Sequence, residues 1–337
     1  MGPKADGKEM NLLTSKRRIG RLPHMVELAL LIVGALAFFV FPDDLGLMTS
    51  IVIMTLFVLS LSLVLGQAGI PTIGHAALYG SGAYAAGLWA LHVTAEPLTG
   101  LAAGGLAGAI IAALSGLLLL RTRGLTLVML SIAFAQVLFE IANKARGVTG
   151  GDDGLSGLTV SPVLGIFRFD FYGRTGYWYS LIVLVLSYAL LRRLVASPFG
   201  LTCRGIRSDK TRMLAIGGHV YGALMTVYVT GGVFAGIAGA LTAQTAQVVG
   251  LNSLSFQQSA DALVMLVIGG TWTLAGALIG APVFMVVHHI ASTASPYHWL
   301  VVIGLLLILT VLYLPKGLIY LIPAGLERLR DRQGTHE

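Results

Sequence analysis

Ser197–Tyr221 reads SPFGLTCRGIRSDKTRMLAIGGHVY, a basic interruption between an apolar run at 177–195 and another at 220–246. Arg204, Arg207, Lys210 and Arg212 stand there against one acid, Asp209. Lys and Arg beside apolar spans resist translocation, so a loop of this composition stays on the cytoplasmic side. The rest of the chain agrees: of 337 residues 56% are hydrophobic and 11% charged, with a mean hydropathy of +0.84. That is too little charge to cover a soluble globule of this size. The sequence is therefore that of an all-α, polytopic membrane protein. Drawn as one helix, the loop would set Cys203, Ile206 and Leu214 on one face, but Lys210 falls on it too, so periodicity leaves its conformation open.

Working outward, apolar runs of about 17–25 residues fall near 25–41, 46–66, 77–93, 98–120, 125–143, 177–195, 220–246, 258–270, 274–291 and 298–315. These predict about ten transmembrane helices, the eighth too short to cross as a straight helix. The domain organisation follows: a basic cytoplasmic amino-terminal segment 1–24, a transmembrane domain 25–315 that contains the cytoplasmic loop 197–221, and a cytoplasmic tail 316–337. With the amino terminus inside, only Lys144, Arg146, Arg168 and Arg174 of the 22 Lys and Arg residues fall outside, a bias that sets both termini in the cytoplasm. Lys16, Arg17, Arg18 and Arg21 precede the first run and FPDDLG follows it without a small-residue cleavage site, as expected of an uncleaved span. The net charge of +7 sits in tails and loops, which fits membrane orientation rather than nucleic-acid binding. Cys203 is the single cysteine, so there is no intrachain disulfide.

Glycines recur at spacings of four within spans, at Gly100, Gly104 and Gly108, at Gly232 and Gly236, and at Gly276 and Gly280. Such small faces let helices approach closely. Two stretches break the apolar rhythm: Gly66–Tyr84, GQAGIPTIGHAALYGSGAY, and Gly269–Gly280, GGTWTLAGALIG. Irregular backbone at membrane depth is tolerated only beside protein or a water-filled cavity. The pair therefore marks either a translocation pathway or two tight cytoplasmic turns, and the sequence leaves both open. Asp261, within SADALVMLVIGG, would cost about 3 kcal/mol or more if left uncompensated in lipid, so it should face the bundle interior, a subunit interface or water. Glu27 and Glu140 lie nearer span ends. The adjacent His288 and His289 do not share a helical face, and Asp152 and Asp153 lack the further spaced ligands of a calcium loop, so neither pair predicts a metal. No cofactor is expected.

Several ordered motifs carry a family resemblance over roughly 45–321. LGQAGIPTIGHAALYGSGAY matches at Gly66, Gln67, Gly74, His75, Ala76, Gly82, Ala83 and Tyr84. RTRGLTLVMLSIAFAQVLFEIANKARGVTGGDDGLSG, VTGGVFAGIAGALTA and VMLVIGGTWTLAGALIGA follow in order. Together with SPFG and RGIR before Gly217, they resemble the permease family of branched-chain amino acid ABC importers, and the SPFG and chain length favour its larger permease subunit. The resemblance implies half of a translocation pathway for branched-chain or other neutral amino acids in a bacterial inner membrane. It implies as partners a second homologous permease, cytoplasmic ATP-binding subunits and an extracytoplasmic substrate-binding protein. It assigns ATPase coupling to Arg204, Arg207, Lys210, Arg212 and Gly217, and the pathway to Gln67, Thr72, Gly74, His75, Tyr84 and Asp261. Related permeases also carry urea or other small solutes, so that alternative stays open. The sequence departs from the family where it has Lys210–Ala215 in place of acidic and alanine positions, Asp261 in place of the commoner Glu, and Trp272 in place of a small residue.

Two other classes compete. An ATP-independent secondary transporter or channel would account for Asp261 and the broken spans but not for the ordered motifs. An intramembrane serine protease is suggested by GLSG at Gly154–Gly157, yet this lies in a polar outside loop, and no HExxH helix occurs. The chain is therefore expected not to be an enzyme. It also lacks a GxxxxGK[ST] loop to cradle nucleotide phosphates, so an ATP-driven cycle would take its energy from a separate subunit.

Overall fold

The computed structural model describes residues 32–36, 38, 44–162, 173–294, 299–313 and 317–320. Its principal helices are α1 (Leu45–Leu61), continued by a π-helical turn at Ser62–Gln67, α2 (Ala76–His92), α3 (Pro97–Leu119), α4 (Leu125–Lys144) and α5 (Arg174–Ala196). After these come α6 (Pro198–Ser208), α7 (Lys210–Ala215), α8 (Val220–Ala246), α9 (Phe256–Gly269), α10 (Leu274–Ala294) and α11 (Trp299–Tyr313). Six helical segments are long and apolar enough to cross a membrane: α1 with its π turn, α3, α4, α5, α8 and α10. The expected count of about ten is not reached among the described residues. The run at 25–41 lies mostly outside them, α2 has 17 residues, α9 has 14 and α11 has 15.

Two helices form the centre. α1 is buried on every side from Thr55 to Leu61, and α8 buries most of its length from Gly231 to Gln244. A helix apolar all round is what such a position requires. The glycine spacing explains how α8 enters: a methyl at Gly108 of α3 would overlap the Gly232 carbonyl, and one at Gly82 of α2 would overlap the Gly236 carbonyl. Backbones of α2, α3 and α8 thus touch along one seam. Gly276 and Gly280 serve α10 in the same way, meeting the backbone of Gly270 and Met265 at the end of α9. On the opposite side of the bundle from α6, Leu155 and Val249 exchange backbone hydrogen bonds of 2.8 and 2.9 Å, tying the α4–α5 connection to the α8–α9 connection.

Candidate functional site

The first break begins where α1 widens into its π turn and ends at His75, which precedes α2. Gly69 has a φ of 67°, and Pro71 has no N–H to donate, so no α-helix runs through this segment. Its polar backbone is satisfied from within: the Ile73 N–H donates to Ser131 Oγ of α4 at 3.2 Å, and the Ala76 N–H to Ser259 Oγ of α9 at 2.8 Å. The Gly74 N–H reaches Thr72 Oγ1 at 3.3 Å. Ser131 is six residues into α4 and Ser259 three residues into α9, so the segment runs inside the helical layer, where protein groups supply the partners. These serines carry no motif signal beyond being polar positions inside apolar helices.

His75 is fully buried, with Nε2 2.9 Å from Ser60 Oγ and its ring stacked on Phe57 at 5.5 Å. Thr72 is 1% exposed, and a methyl at Gly74 would overlap the Ser131 carbonyl. Gln67 is also buried. Four of the six expected pathway residues are thus enclosed by protein. Tyr84 is buried as well, but it lines a cavity of about 360 Å³ between α2, α3 and α4, shared with Ser81, Ile111, Leu138 and Ala142. Its buried hydroxyl has no hydrogen-bond partner among the described residues. Asp261 stands on α9, where Oδ1 accepts from Gln257 Nε2 at 2.8 Å. His288 of α10 is close enough to act on it electrostatically.

The second break follows α9 and meets the first, although about 200 residues separate them in sequence. Gly270 has a φ of 113°. Gln67 Nε2 donates to the Trp272 carbonyl at 3.3 Å, and Ser62 Oγ to the Thr273 carbonyl at 3.5 Å. A Cβ at Gly66 would lie 2.5 Å from the Thr271 carbonyl oxygen, so the two stretches approach backbone to backbone.

The basic loop covers this junction. It is helical, but not as one helix: Asp209 has extended backbone and caps α7, its Oδ1 accepting from the Thr211 and Arg212 N–H groups at 2.9 and 3.1 Å. The break re-aims everything after it. Cys203 and Ile206 are buried on α6, whereas Leu214 is 52% exposed on α7, so the three do not share a face. Burial pushes the Cys203 thiol up to about 11. Arg204, Arg212 and Gly217 are exposed, as are the apolar side chains of Leu214 and Ile216, and the Arg204 guanidinium donates back to the Val195 carbonyl at 3.4 Å. Lys210 is half-buried, and burial, followed by nearby Arg123, lowers its pKa. Arg207 points the other way, with its guanidinium carbon 3.8 Å from the centroid of the Trp272 ring.

A family described as the branched-chain amino acid transport system, permease component, matches residues 45–311. The chain belongs to that family. The match contains both breaks, α6, α7 and Asp261. Two similar curated relatives are each described as a high-affinity branched-chain amino acid transport system permease protein, LivM. The one from Salmonella typhimurium (strain LT2) is 25% identical over 315 residues, covering 87% of this permease and 74% of the relative. The one from Escherichia coli (strain K12) is 25% identical over 283 residues, covering 77% and 66%. No solved structure matches the chain. The permease is accordingly a multi-pass membrane protein of an amino acid transport family, of the larger permease-subunit type.

Proposed function

We propose that the chain lines half of the pathway of an inner-membrane ABC importer for branched-chain or other neutral amino acids. A second permease supplies the other half, cytoplasmic ATPases drive it and an extracytoplasmic binding protein delivers solute. The observation that carries the proposal is the seating of α6, in the basic α6–α7 segment, over the meeting point of the two breaks, within a chain that the permease family matches over residues 45–311. Both termini, the segment 1–24 and the tail 316–337 are assigned to the cytoplasm on the charge bias. The transmembrane domain is 25–315, with 197–221 as its coupling loop.

Within that frame Arg204, Lys210, Arg212 and Gly217 belong to the ATPase-facing side, where exposed Leu214 and Ile216 add apolar contact. Arg212→Glu is expected to weaken ATPase association on the order of tenfold, since reversing a rim charge replaces attraction by repulsion, while insertion stays normal. Co-purification with the ATPase measures it, and parental recovery would remove α7 from the interface. The deciding experiment for the whole proposal is reconstitution of both permeases, the ATPases and the binding protein in proteoliposomes, with uptake of radiolabelled leucine that requires ATP.

The solute side is assigned to Tyr84 and Asp261, while Gln67, Thr72, Gly74 and His75 shape the wall from behind. The cavity at Tyr84 is mostly apolar, which suits a small solute with an aliphatic side chain, and the Tyr84 hydroxyl, buried beside it without a partner among the described residues, would gain one by turning toward a bound solute. Tyr84→Phe is expected to raise the KM for uptake about two- to tenfold, the worth of one hydrogen bond. An unchanged KM and rate would take Tyr84 off the pathway. The grouping of Asp261, Gln257 and His288 favours one further reading, an ATP-independent, ion-coupled carrier.

A further inference from the structure

One side chain on α6 touches both breaks at once. The stem of Arg207 fills the notch above Gly69, where a Cβ would come within 2.8 Å of Arg207 Cγ. Its guanidinium lies over the indole of Trp272, whose carbonyl in turn accepts from Gln67 at the end of the first break. A methyl at Gly317 would overlap Gly270, so the second break is backed closely from its other side. One turn earlier on the same side of α6 the packing is closed as well: Cys203 sits among Leu63, Leu194, Phe199 and Val227, with no room for water between them.

We propose that Arg207 and Trp272 are positioning residues that latch α6 to both breaks, so that a displacement of α6 reaches Gly66–His75 and Gly269–Thr273 together. The proposal rests on the coupling role given to α6–α7 above. Arginine is suited to it because a planar, weakly hydrated guanidinium can stack on an indole while its methylenes pack below. The partial burial that this needs also lowers the Arg207 pKa, although the group stays charged. Without the latch, the breaks would still touch each other through Ser62 and Gln67, but α6 would hold to the first alone, through the Arg207 stem and the packing of Cys203 and Phe199 on Leu63. Movement of α6 would then reach the second break late or not at all.

The native cysteine provides the test. Cys203 is the sole cysteine, is 1% exposed and lies one helical turn before Arg207, so its rate of maleimide labelling reports how often α6 lifts. In the purified full-length permease in nanodiscs, Arg207→Met keeps the stem and removes the charge, and Trp272→Leu removes the ring. Each is expected to raise the labelling rate about two- to fivefold, the worth of a cation–π contact at a partly exposed site. The double variant should do no more than either alone, and Trp272→Phe should stay near the parent. Parental labelling of Arg207→Met would mean that stem packing alone holds α6, and additive effects in the double variant would mean that the two side chains act separately; either would overturn the latch. Arg212→Glu separates the two proposals: it should weaken ATPase association and leave Cys203 labelling unchanged. In the assembled importer the latch variants should lose uptake while keeping most ATP hydrolysis. Equal loss of both would assign Arg207 to ATPase docking instead.

Discussion

Gly236→Val is expected to be the most damaging single substitution in the helical core, because Gly236 stands where three helices meet. A Cβ there would overlap the Gly104 carbonyl and lie 3.1 Å from Gly108 Cα on α3. The Gly82 position of α2 is pressed against the same residue from the other side. These are backbone atoms, which no rotamer change can withdraw, so α8 would have to leave the seam. Overpacking a well-filled core costs about 1–3 kcal/mol and sometimes more, and two rigid neighbours place this case at the upper end. Loss of about 3 kcal/mol corresponds to a fall in Tm on the order of 6–12 °C, measurable by heating the detergent-solubilised permease and following the monodisperse peak. Gly222→Val is the control, since nothing lies within 4 Å of a Cβ at that end of the same helix. If the two variants melted together, the seam would not be what holds α2, α3 and α8.

The same seam shows what kind of structure a sequence of this composition discloses. Helix–helix approach is written in short spacings, so Gly104, Gly108, Gly232 and Gly236 mark their faces without any tertiary knowledge. Hydropathy likewise locates α3, α4, α5 and α8 to within a few residues, because each is one uninterrupted apolar run. The position of the two breaks was legible for the converse reason, through Gly69, Pro71 and Gly270. Their meeting was not. Nothing in the sequence pairs Ser62 with Thr273 or Gln67 with Trp272, because these contacts join segments that are distant along the chain and use backbone carbonyls, which every residue carries. The split of the basic loop at Asp209 was not legible, because periodicity with Lys210 on the apolar face left its conformation open, and the side chain that ends one helix and caps the next is a single short acid. Trp272 stood out as an unusual residue for its place, yet its partner could be found only once α6 had been folded over it.

Asp261 is where the two transport mechanisms part. It lies on a 14-residue helix among apolar neighbours, and its carboxylate is held by Gln257 with His288 nearby on α10. Asp261→Leu removes the acceptor and leaves the Gln257 amide facing an apolar surface, whereas Asp261→Asn keeps both size and an acceptor oxygen and removes only the titratable group. In an ATP-driven importer no proton need be relayed, so polarity at this position should matter and ionisation should not. The Leu variant is therefore expected to lose at least about 90% of uptake or to fail to assemble with its partner permease, the result expected when about 1.4 kcal/mol or more of polar stabilisation is withdrawn. The Asn variant should retain most of it, with ATP dependence unchanged. Uptake of labelled leucine into proteoliposomes, run with ATP and separately with an imposed proton gradient, distinguishes the cases. Should Asn abolish uptake while the parent accumulates solute from the gradient alone, the chain would be a proton-coupled carrier, and α6–α7 would need a purpose other than receiving an ATPase.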